Sequence, residues 1–516
     1  MTMKDRRKIL FFRAAYDQKQ VPKSLLALTA VMTLAYLAVI AFGFERGNPI
    51  LFGLLVAGEI FHVWMVLTYL HTVWETEHVS RQNPRFQPMV DVFITVAGEP
   101  AEIVEQTLRG ALKMNYPYFE VYLLNDGFVA KKDNWQEIER LAERHNVSCI
   151  TRKTPGGAKA GNINHALART RAPFVAIFDA DHVPHPDFLK KTMGYFIDPK
   201  MGFVQTPQFY RNRDQSYLTA GAWEQQELFF GPILKGKNRV NSVFMCGTNM
   251  AIRREALEEV GGMNEENIAE DFFTSAFIHA RGWKSVYVPE VLSEGLAPED
   301  FGSYYRQQYR WARGSLELIL RRNLLFWRGL SWAQKLQYFA SASYYLVGPV
   351  VLMNALLPLV FFWSGEVPFR ISTMALAAAF LPYIFLLIYV LQKSSNYAYT
   401  FRAVAFSMGS WPIQVKAILA TLLGLKSSFS VTAKRGQAGN YLYLVLPHLL
   451  YILLVALGLG VAVVREGLSS SVINNIAWAF FNVALFVPFI LAASPKGVRE
   501  TRKEMPSFRR AESIRT

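Results

Sequence analysis

Cysteine is nearly absent: Cys149 and Cys246 are the two in 516 residues, which excludes a disulfide framework. Charge is sparse as well. Asp, Glu, Lys and Arg make up 18% of the chain, and they vanish over five stretches, 24–44, 336–363, 371–392, 441–464 and 468–493. Each is long enough to cross about 30 Å of hydrocarbon. A sixth stretch, 50–74, carries only Glu59, His62 and His71. An ionisable group at that depth needs a partner, and Glu59 reads as pairing with a neighbouring helix or lying near the membrane boundary. No small-residue cleavage site follows the first stretch, so it reads as a retained anchor rather than a signal peptide. There is no Walker A motif. The apolar stretches show no repeated halves, which counts against a transporter.

What is present points the same way. The chain is 52% hydrophobic with 38 Phe, a composition that suits a membrane protein over a soluble globule. Lys4, Arg6, Arg7, Lys8, Arg13, Lys19 and Lys23 crowd the stretch before Ser24, and seven more basic residues follow Ala493. The connections near Glu45, Glu366 and Glu466 are close to charge balance. The positive-inside rule then places both tails in the cytoplasm, and six spans keep 75–335 on that side as well. The formal charge of +15 is accounted for by topology and anionic headgroups, so no nucleic-acid partner is expected. The expected organisation is a basic tail at 1–23, two spans in 24–74, a cytoplasmic domain at 75–335 ending in amphipathic interface helices, and two spans in 336–392. A cytoplasmic interface helix and loop at 393–440, two spans in 441–493 and a basic tail at 494–516 complete it.

The cytoplasmic segment alternates. Strand-like runs at 90–96 (VDVFITV), 119–126 (FEVYLLND), 147–153 (VSCITRK) and 174–181 (FVAIFDAD) are separated by helical patterns such as AEIVEQTLRGALKM and WQEIERLAERH. That rhythm predicts an α/β domain with a doubly wound, mostly parallel sheet. Ligands in such sheets bind beyond the carboxyl ends of the strands, where Thr95 to Glu99, Asn125-Asp126-Gly127 and Asp179 with Asp181 fall. Residues i and i+2 of a strand share a face, so Asp179 and Asp181 are expected to point together and to hold a cation of the Mg²⁺ or Mn²⁺ type. A lone D-x-D is also an ordinary polar turn, and a lone NDG an ordinary strand-ending one. Between them TPGGAKAGNINHAL (154–167) brings glycines and Lys159 to a helix start, an arrangement that can hold phosphate or simply cap the helix. A nucleotide diphosphate would satisfy all three.

Two later stretches add acid and aromatic groups. In AEDFFTSAFIHARG (269–282), Glu270 and Asp271 open a helix, where acidic residues also serve the helix dipole. In SYYRQQYRWARG (303–314), Gln307, Arg310 and Trp311 fall at i, i+3 and i+4 on one helical face. Amide and guanidinium donate to phosphate, and the indole offers a flat face to a sugar ring. An interfacial helix with snorkelling Arg and Trp would read alike.

Taken in order and spacing between apolar spans, NDG, DAD, AED and QQYRW resemble the D, D, D, QxxRW pattern of family 2 processive glycosyltransferases of the cellulose synthase type. VDVFITVAGEP, PGGAKAGNINHAL, QTPQFY (205–210) and VFMCGTNMAIRREAL (243–257) are similar to segments of that family, and FSVTAK (429–434) to its FxVTxK gating loop. The resemblance covers roughly 24–493. It implies a GT-A type, Rossmann-like domain inserted in about six transmembrane helices of the inner membrane, with catalytic domain and termini cytoplasmic. It implies Thr95, Glu99 and Asp126 at the uridine end of a UDP-sugar, Lys159, Gln307 and Arg310 at its diphosphate, and Asp179 with Asp181 on Mg²⁺ or Mn²⁺. Trp311 and Cys246 would cradle the acceptor sugar and Asp271 would be the general base. Phe429, Val431, Thr432 and Lys434 would close over the nucleotide. The expected partners are the nucleotide sugar, with UDP-glucose foremost, the growing polysaccharide, the bilayer and an accessory export protein.

Three motifs depart from the pattern: NDG stands for DDG, TVAGE for TYNE and AED for TED. The segment 494–516 is too short for a PilZ domain, so regulation through one is not expected. The expected reaction is inverting, processive polymerisation into a β-glucan, cellulose-like or of mixed 1,3 and 1,4 linkage, extruded across the membrane. The alternatives are a transferase that moves one sugar onto a lipid carrier, which needs neither QQYRW nor FSVTAK, and a non-catalytic nucleotide binder, in which the acid and metal set would be superfluous.

Overall fold

The computed structural model describes residues 20–77, 81–425 and 439–494. Among them, six helical segments are long and apolar enough to cross a membrane, and the protein is a multi-pass membrane protein. The first two form a hairpin, α1 (Lys23–Phe42) and α2 (Pro49–Thr72). Leu28, Val31 and Leu34 on α1 and Ile50, Leu54 and Ile60 on α2 are exposed, as befits helices that are apolar all round. The Asn48 side chain caps α2, accepting from Ile50 N and Leu51 N. Glu59 is buried against Tyr36 of α1, so it does pair with a neighbouring helix.

Between the hairpin and the next span lies a seven-stranded sheet. Its first half runs β1 (Val90–Val96), α3 (Ala101–Leu112), β2 (Phe119–Asn125), α4 (Trp135–Arg144), β3 (Ser148–Thr151), α5 (Ala158–Leu167) and β4 (Phe174–Asp179). Its second half adds β5 (Met201–Gln205), α6 (Tyr217–Leu228), β6 (Met250–Arg253), α7 (Glu270–Ala280) and β7 (Lys284–Tyr287). The order across the sheet is β7-β5-β6-β4-β1-β2-β3, parallel except for β6, which is antiparallel to both β4 and β5. Every residue of β1 is buried, the signature of a parallel strand covered on both faces. α3 covers one face with Val104, Leu108 and Ala111, and α4 with Ile138, Leu141 and Ala142. Asp91, buried within β1, accepts from Arg254 (2.7 Å) and Ala172 N (3.0 Å). It therefore serves the sheet's far edge.

The domain returns to the membrane through α8 (Phe301–Leu320), whose N-cap Asp300 accepts from Ser303 N at 2.8 Å. Then follow α9 (Trp332–Ser343) and α10 (Val347–Ser364), together one span, and α11 (Thr373–Ser394). α12 (Phe401–Gly409) and α13 (Trp411–Leu422) precede the last two spans, α14 (Leu446–Glu466) and α15 (Ser470–Ala493). α13 lies along α8, with Lys416 over the rings of Tyr305 (5.5 Å) and Tyr309 (5.3 Å).

α6 is locked to α12 by Glu224, 2% exposed, which accepts from Arg402 and Thr400 and meets Arg213 at 3.3 Å. Arg402 above all holds its carboxyl, against the effect of burial, below the usual carboxylate range. Glu224→Ala removes the buried carboxylate that Arg402 and Arg213 share and is expected to cost about 3 kcal/mol, read as a lowered thermal midpoint of the purified protein. Glu224→Gln, which keeps hydrogen-bonding capacity, should lose less.

Candidate active site

Strand register builds the site. Thr95 pairs with Asp179 and Val96 with Asn125, which in turn pairs with Thr151. Strands β1 to β4 therefore end level, and the loops that follow them share one crevice. Chain order reverses between β1 and β4, the place where open parallel sheets bind ligands. A cleft of about 540 Å³ opens there, and Thr95, Glu99, Asp126, Lys159, Asp179, Asp181, Cys246, Asp271, Gln307, Arg310 and Trp311 all line it. The loop residues Phe429, Val431, Thr432 and Lys434 lie outside the described residues.

The DAD pair departs from the strand picture. β4 ends at Asp179, and Asp181 lies beyond it in a turn closed by His182 N donating to Asp179 O (3.0 Å). The turn, and not the pleat, brings the two acids together, along with a third group absent from the sequence candidates. Donor atoms of Asp179, Asp181 and His182 lie within 4.8 Å of one another. Asp181 is buried, bonded to His182 Nδ1 (3.3 Å) and accepting from Leu296 N (3.2 Å), while His182 Nε2 is buried with no hydrogen-bond partner. Two carboxylates and an imidazole fit a divalent cation such as Mn²⁺ or Mg²⁺. The signal was in the sequence, since a histidine directly follows the D-x-D.

Lys159 enters from the start of α5. Its Nζ donates to Asp179 Oδ1 and to Gly247 O (2.7 Å). Burial alone would lower the Lys159 amine, but Asp179 and then Glu270 raise it. Burial likewise opposes the reciprocal effect at Asp179, which Lys159 and His182 hold below the usual range. The approach to α5 turns through Gly156 and Gly157, at φ of +138° and +62°, where L side chains are strained.

Arg152, which the sequence reading passed over, ties this loop to Asp126. Its Nε and Nη2 donate to Asp126 Oδ1 (2.7 Å) and Oδ2 (2.8 Å), and the same guanidinium donates to Gly156 O and Ala158 O (3.0 Å). It follows the edge strand β3, whose neighbour β2 ends in the cleft, so the first cation after VSCIT was a readable candidate.

Across the cleft, Asp271 stands at the N-terminus of α7. Its backbone carbonyl accepts from Ser275 Oγ (2.7 Å), which accepts from Met245 N (2.8 Å), so α7 is pinned to the segment carrying Cys246. Gln205 and Gln208 of QTPQFY hold that segment from the other side, through Cys246 N (2.8 Å) and Cys246 O (2.6 Å). Gly247, at φ +83°, lies where a Cβ would be 3.1 Å from Asp271 Oδ2 and 3.6 Å from Lys159 Nζ. Burial first, and then the Glu270 charge, pushes the Asp271 carboxyl up to about 7, against the Phe272 amide, Lys159 and Arg310. Gln307, Arg310 and Trp311 reach the cleft from successive turns of α8.

Residues 87–314 match the family description "Glycosyltransferase like family 2" and residues 258–493 match "Cellulose synthase". The UDP-forming cellulose synthase catalytic subunit of Pseudomonas fluorescens is 30% identical over 93% of this chain and 67% of its own length. Cellulose synthase 1 of Komagataeibacter xylinus is 31% identical over 88% of this chain and 30% of its own. Among solved structures, a mannosyltransferase from Pyrobaculum calidifontis, in complex with GDP-Man and Mn²⁺, superposes with a TM-score of 0.52 at 20% identity. It covers 73% of this chain and all of its own, and the shared fold is of the GT-A type.

If Asp179, Asp181 and His182 form the cation site, Mn²⁺ titrated into the purified protein should lose its immobilised paramagnetic resonance signal in Asp179→Asn and Asp181→Asn. His182→Ala should weaken binding by roughly 10- to 100-fold. Unchanged Mn²⁺ affinity in all three variants would place the ion elsewhere.

Proposed function

The chain belongs to the cellulose synthase family of family 2 glycosyltransferases, and from that premise we propose that it polymerises a UDP-sugar, with UDP-glucose foremost, into a β-glucan. The observation that carries this reading is the convergence of a would-be base, Asp271, with a diphosphate-binding set in one cleft. In the proposed reaction an acceptor hydroxyl attacks the anomeric carbon. Its oxygen forms the new bond as the bond from that carbon to the UDP oxygen breaks, inverting the centre, and its proton passes to the Asp271 carboxylate. General-base help of this kind contributes about 10² to 10⁴ in rate. Charge grows on departing UDP, and Lys159, Arg310 and Gln307 are placed to receive it. A divalent cation held by Asp179 and Asp181, with His182, would supply further stabilisation of that charge. Thr95, Glu99 and Asp126 remain for the uridine end, while Trp311 and Cys246 flank the acceptor.

Processivity and export rest on the acceptor side. Tyr345, in the 3-10 turn between α9 and α10, lies within electrostatic reach of Asp271 and Cys246. An acceptor sugar at Cys246 thus sits at the root of a membrane span, and extrusion through the bilayer follows as the route for a lengthening chain. The bilayer this implies is the inner membrane, with the catalytic domain cytoplasmic.

The test is incorporation from labelled UDP-glucose by the protein in lipid nanodiscs with Mg²⁺ or Mn²⁺, followed by linkage-specific glucanases. High-mass product cleaved by one of them is expected; a single sugar on an organic-soluble lipid would replace polymerisation with lipid glycosylation. Asp271→Asn should abolish transfer and leave UDP binding near normal. A base must be deprotonated, and with its carboxyl at about 7 the rate should rise with pH up to neutrality and fall about tenfold per unit well below it. A profile flat down to pH 5 would remove Asp271 from the role.

A further inference from the structure

A second cavity lies where the α1–α2 hairpin leaves the membrane on the catalytic-domain side. It measures about 360 Å³ and is lined by Leu26, Ala30, Leu67, Leu70, His71, Trp74 and Arg239. Leu26 and Ala30 are one turn apart on α1, and Leu67, Leu70 and His71 follow an i, i+3, i+4 pattern on α2, so each helix contributes one face; Trp74 follows in the turn beyond the C-cap Val73. In an antiparallel hairpin Leu26 meets Leu70, Ala30 and Leu67 lie a turn deeper, and Trp74 and Arg239 stand at the mouth. The deep wall is hydrocarbon and the mouth is an indole beside a guanidinium.

Arg239 is held there by the catalytic domain. The segment bearing it presses on the end of α2 so closely that a Cβ on Gly236 would stand 2.0 Å from Thr72 O. Arg239 Nη2 donates to His71 O (2.9 Å) and meets His71 Nε2 at 3.2 Å, while its Nε is buried with no hydrogen-bond partner. The next cation on the same segment, Lys237, turns inward and donates to Gln337 O and Oε1, both at 3.0 Å. Lys23, the first residue of α1, lies 6.0 Å over the Trp74 ring. No carboxylate lines the groove itself; beside it, Glu77 accepts from Gln20 N (3.2 Å), whose side chain donates to Trp74 O (3.3 Å).

We propose that this groove holds one anionic phospholipid, its phosphate between Arg239 and Lys23 and the first part of an acyl chain against Ala30 and Leu67, which stand over the buried Leu26 and Leu70. Charge complementarity selects the occupant. A zwitterionic headgroup would bring its own cation to a mouth lined by Arg239 with Lys23 close by, whereas an anionic one pairs with both where the dielectric is falling. Trp74 sits at the depth that indoles favour between headgroup and hydrocarbon. Arg239 stands seven residues before Cys246, so the lipid would rest against the segment that enters the catalytic cleft.

The test uses the full-length protein, washed in detergent with phosphatidylglycerol or phosphatidylcholine and weighed by native mass spectrometry. One phosphatidylglycerol per protein should survive dilution that strips phosphatidylcholine. Arg239→Gln should reduce retention about fivefold, and Leu67→Trp, which fills the groove, should abolish it. Lys335→Gln, a cation 4.8 Å over the Trp332 ring outside the groove, should leave retention unchanged. Should Leu67→Trp fail to fold, the doubly substituted Lys23→Gln, Arg239→Gln protein, with an unchanged thermal midpoint as its control, decides the matter. Equal retention of both lipids by the parent protein, or retention of phosphatidylglycerol untouched by loss of Arg239 and Lys23, would overturn the proposal.

Discussion

Carboxylates gathered in one crevice repel, and the rest of this structure answers that constraint. Glu99, Asp126, Asp179, Asp181, Glu270 and Asp271 line the cleft against four cations, Lys132, Arg152, Lys159 and Arg310. Two of the cations are committed within the cleft: Arg152 is bidentate to Asp126, and Lys159 joins Asp179 to the Gly247 carbonyl. The excess of two acids is a divalent cation's worth of charge. Where compensation is weakest, at the adjacent Glu270 and Asp271, both carboxyls are held above their usual range, by burial first. The same imbalance therefore gathers two carboxylates and an imidazole at one wall and raises a carboxyl, that of Asp271, at the other.

Topology makes such crowding affordable to the fold. Level strand ends deliver Thr95, Asp126 and Asp179 side by side, and the antiparallel β6 turns the chain back so that Cys246 and Gly247 face them. The opposite wall belongs to α8, which presents Gln307, Arg310 and Trp311 to the cleft and rests its other side on α13. One helix thus belongs to both the site and the membrane-facing scaffold. The Glu224 clamp between α6 and α12 adds a second bond between the catalytic domain and the helices that lead into the last spans.

What was legible in the sequence was whatever repeats locally. VDVFITV is a strand over its full expected length, 90–96, because a β-branched and aromatic run interrupted only by Asp91 strongly favours a strand. The long apolar stretches are helices because a segment in hydrocarbon must satisfy its own backbone hydrogen bonds. Helical spacing sufficed to put Gln307, Arg310 and Trp311 on one face. Illegible were features set by partners distant in sequence or by turns. Arg152 and Asp126 are separated by 26 residues, and no period links them. β6 reverses direction in a sheet whose other strands taught a parallel rule. Asp181 was assigned to the strand by a two-residue period that the chain abandons at Asp179.

Asn125 shows how a departure from a family pattern can be structural. The side chain is fully buried and is not among the residues lining the cleft. Its amide donates to Trp135 O (2.8 Å) and its carbonyl accepts from Gly127 N (3.0 Å), so both ends of the group are used, one as donor and one as acceptor. A carboxylate could keep the second bond but would face the Trp135 carbonyl with a lone pair, and would bury a further negative charge beside Asp126. With Arg152 already spent on Asp126, nothing in the immediate network would neutralise it. The asparagine thus fixes the turn that aims Asp126 into the cleft and adds nothing to an acid excess the site already carries.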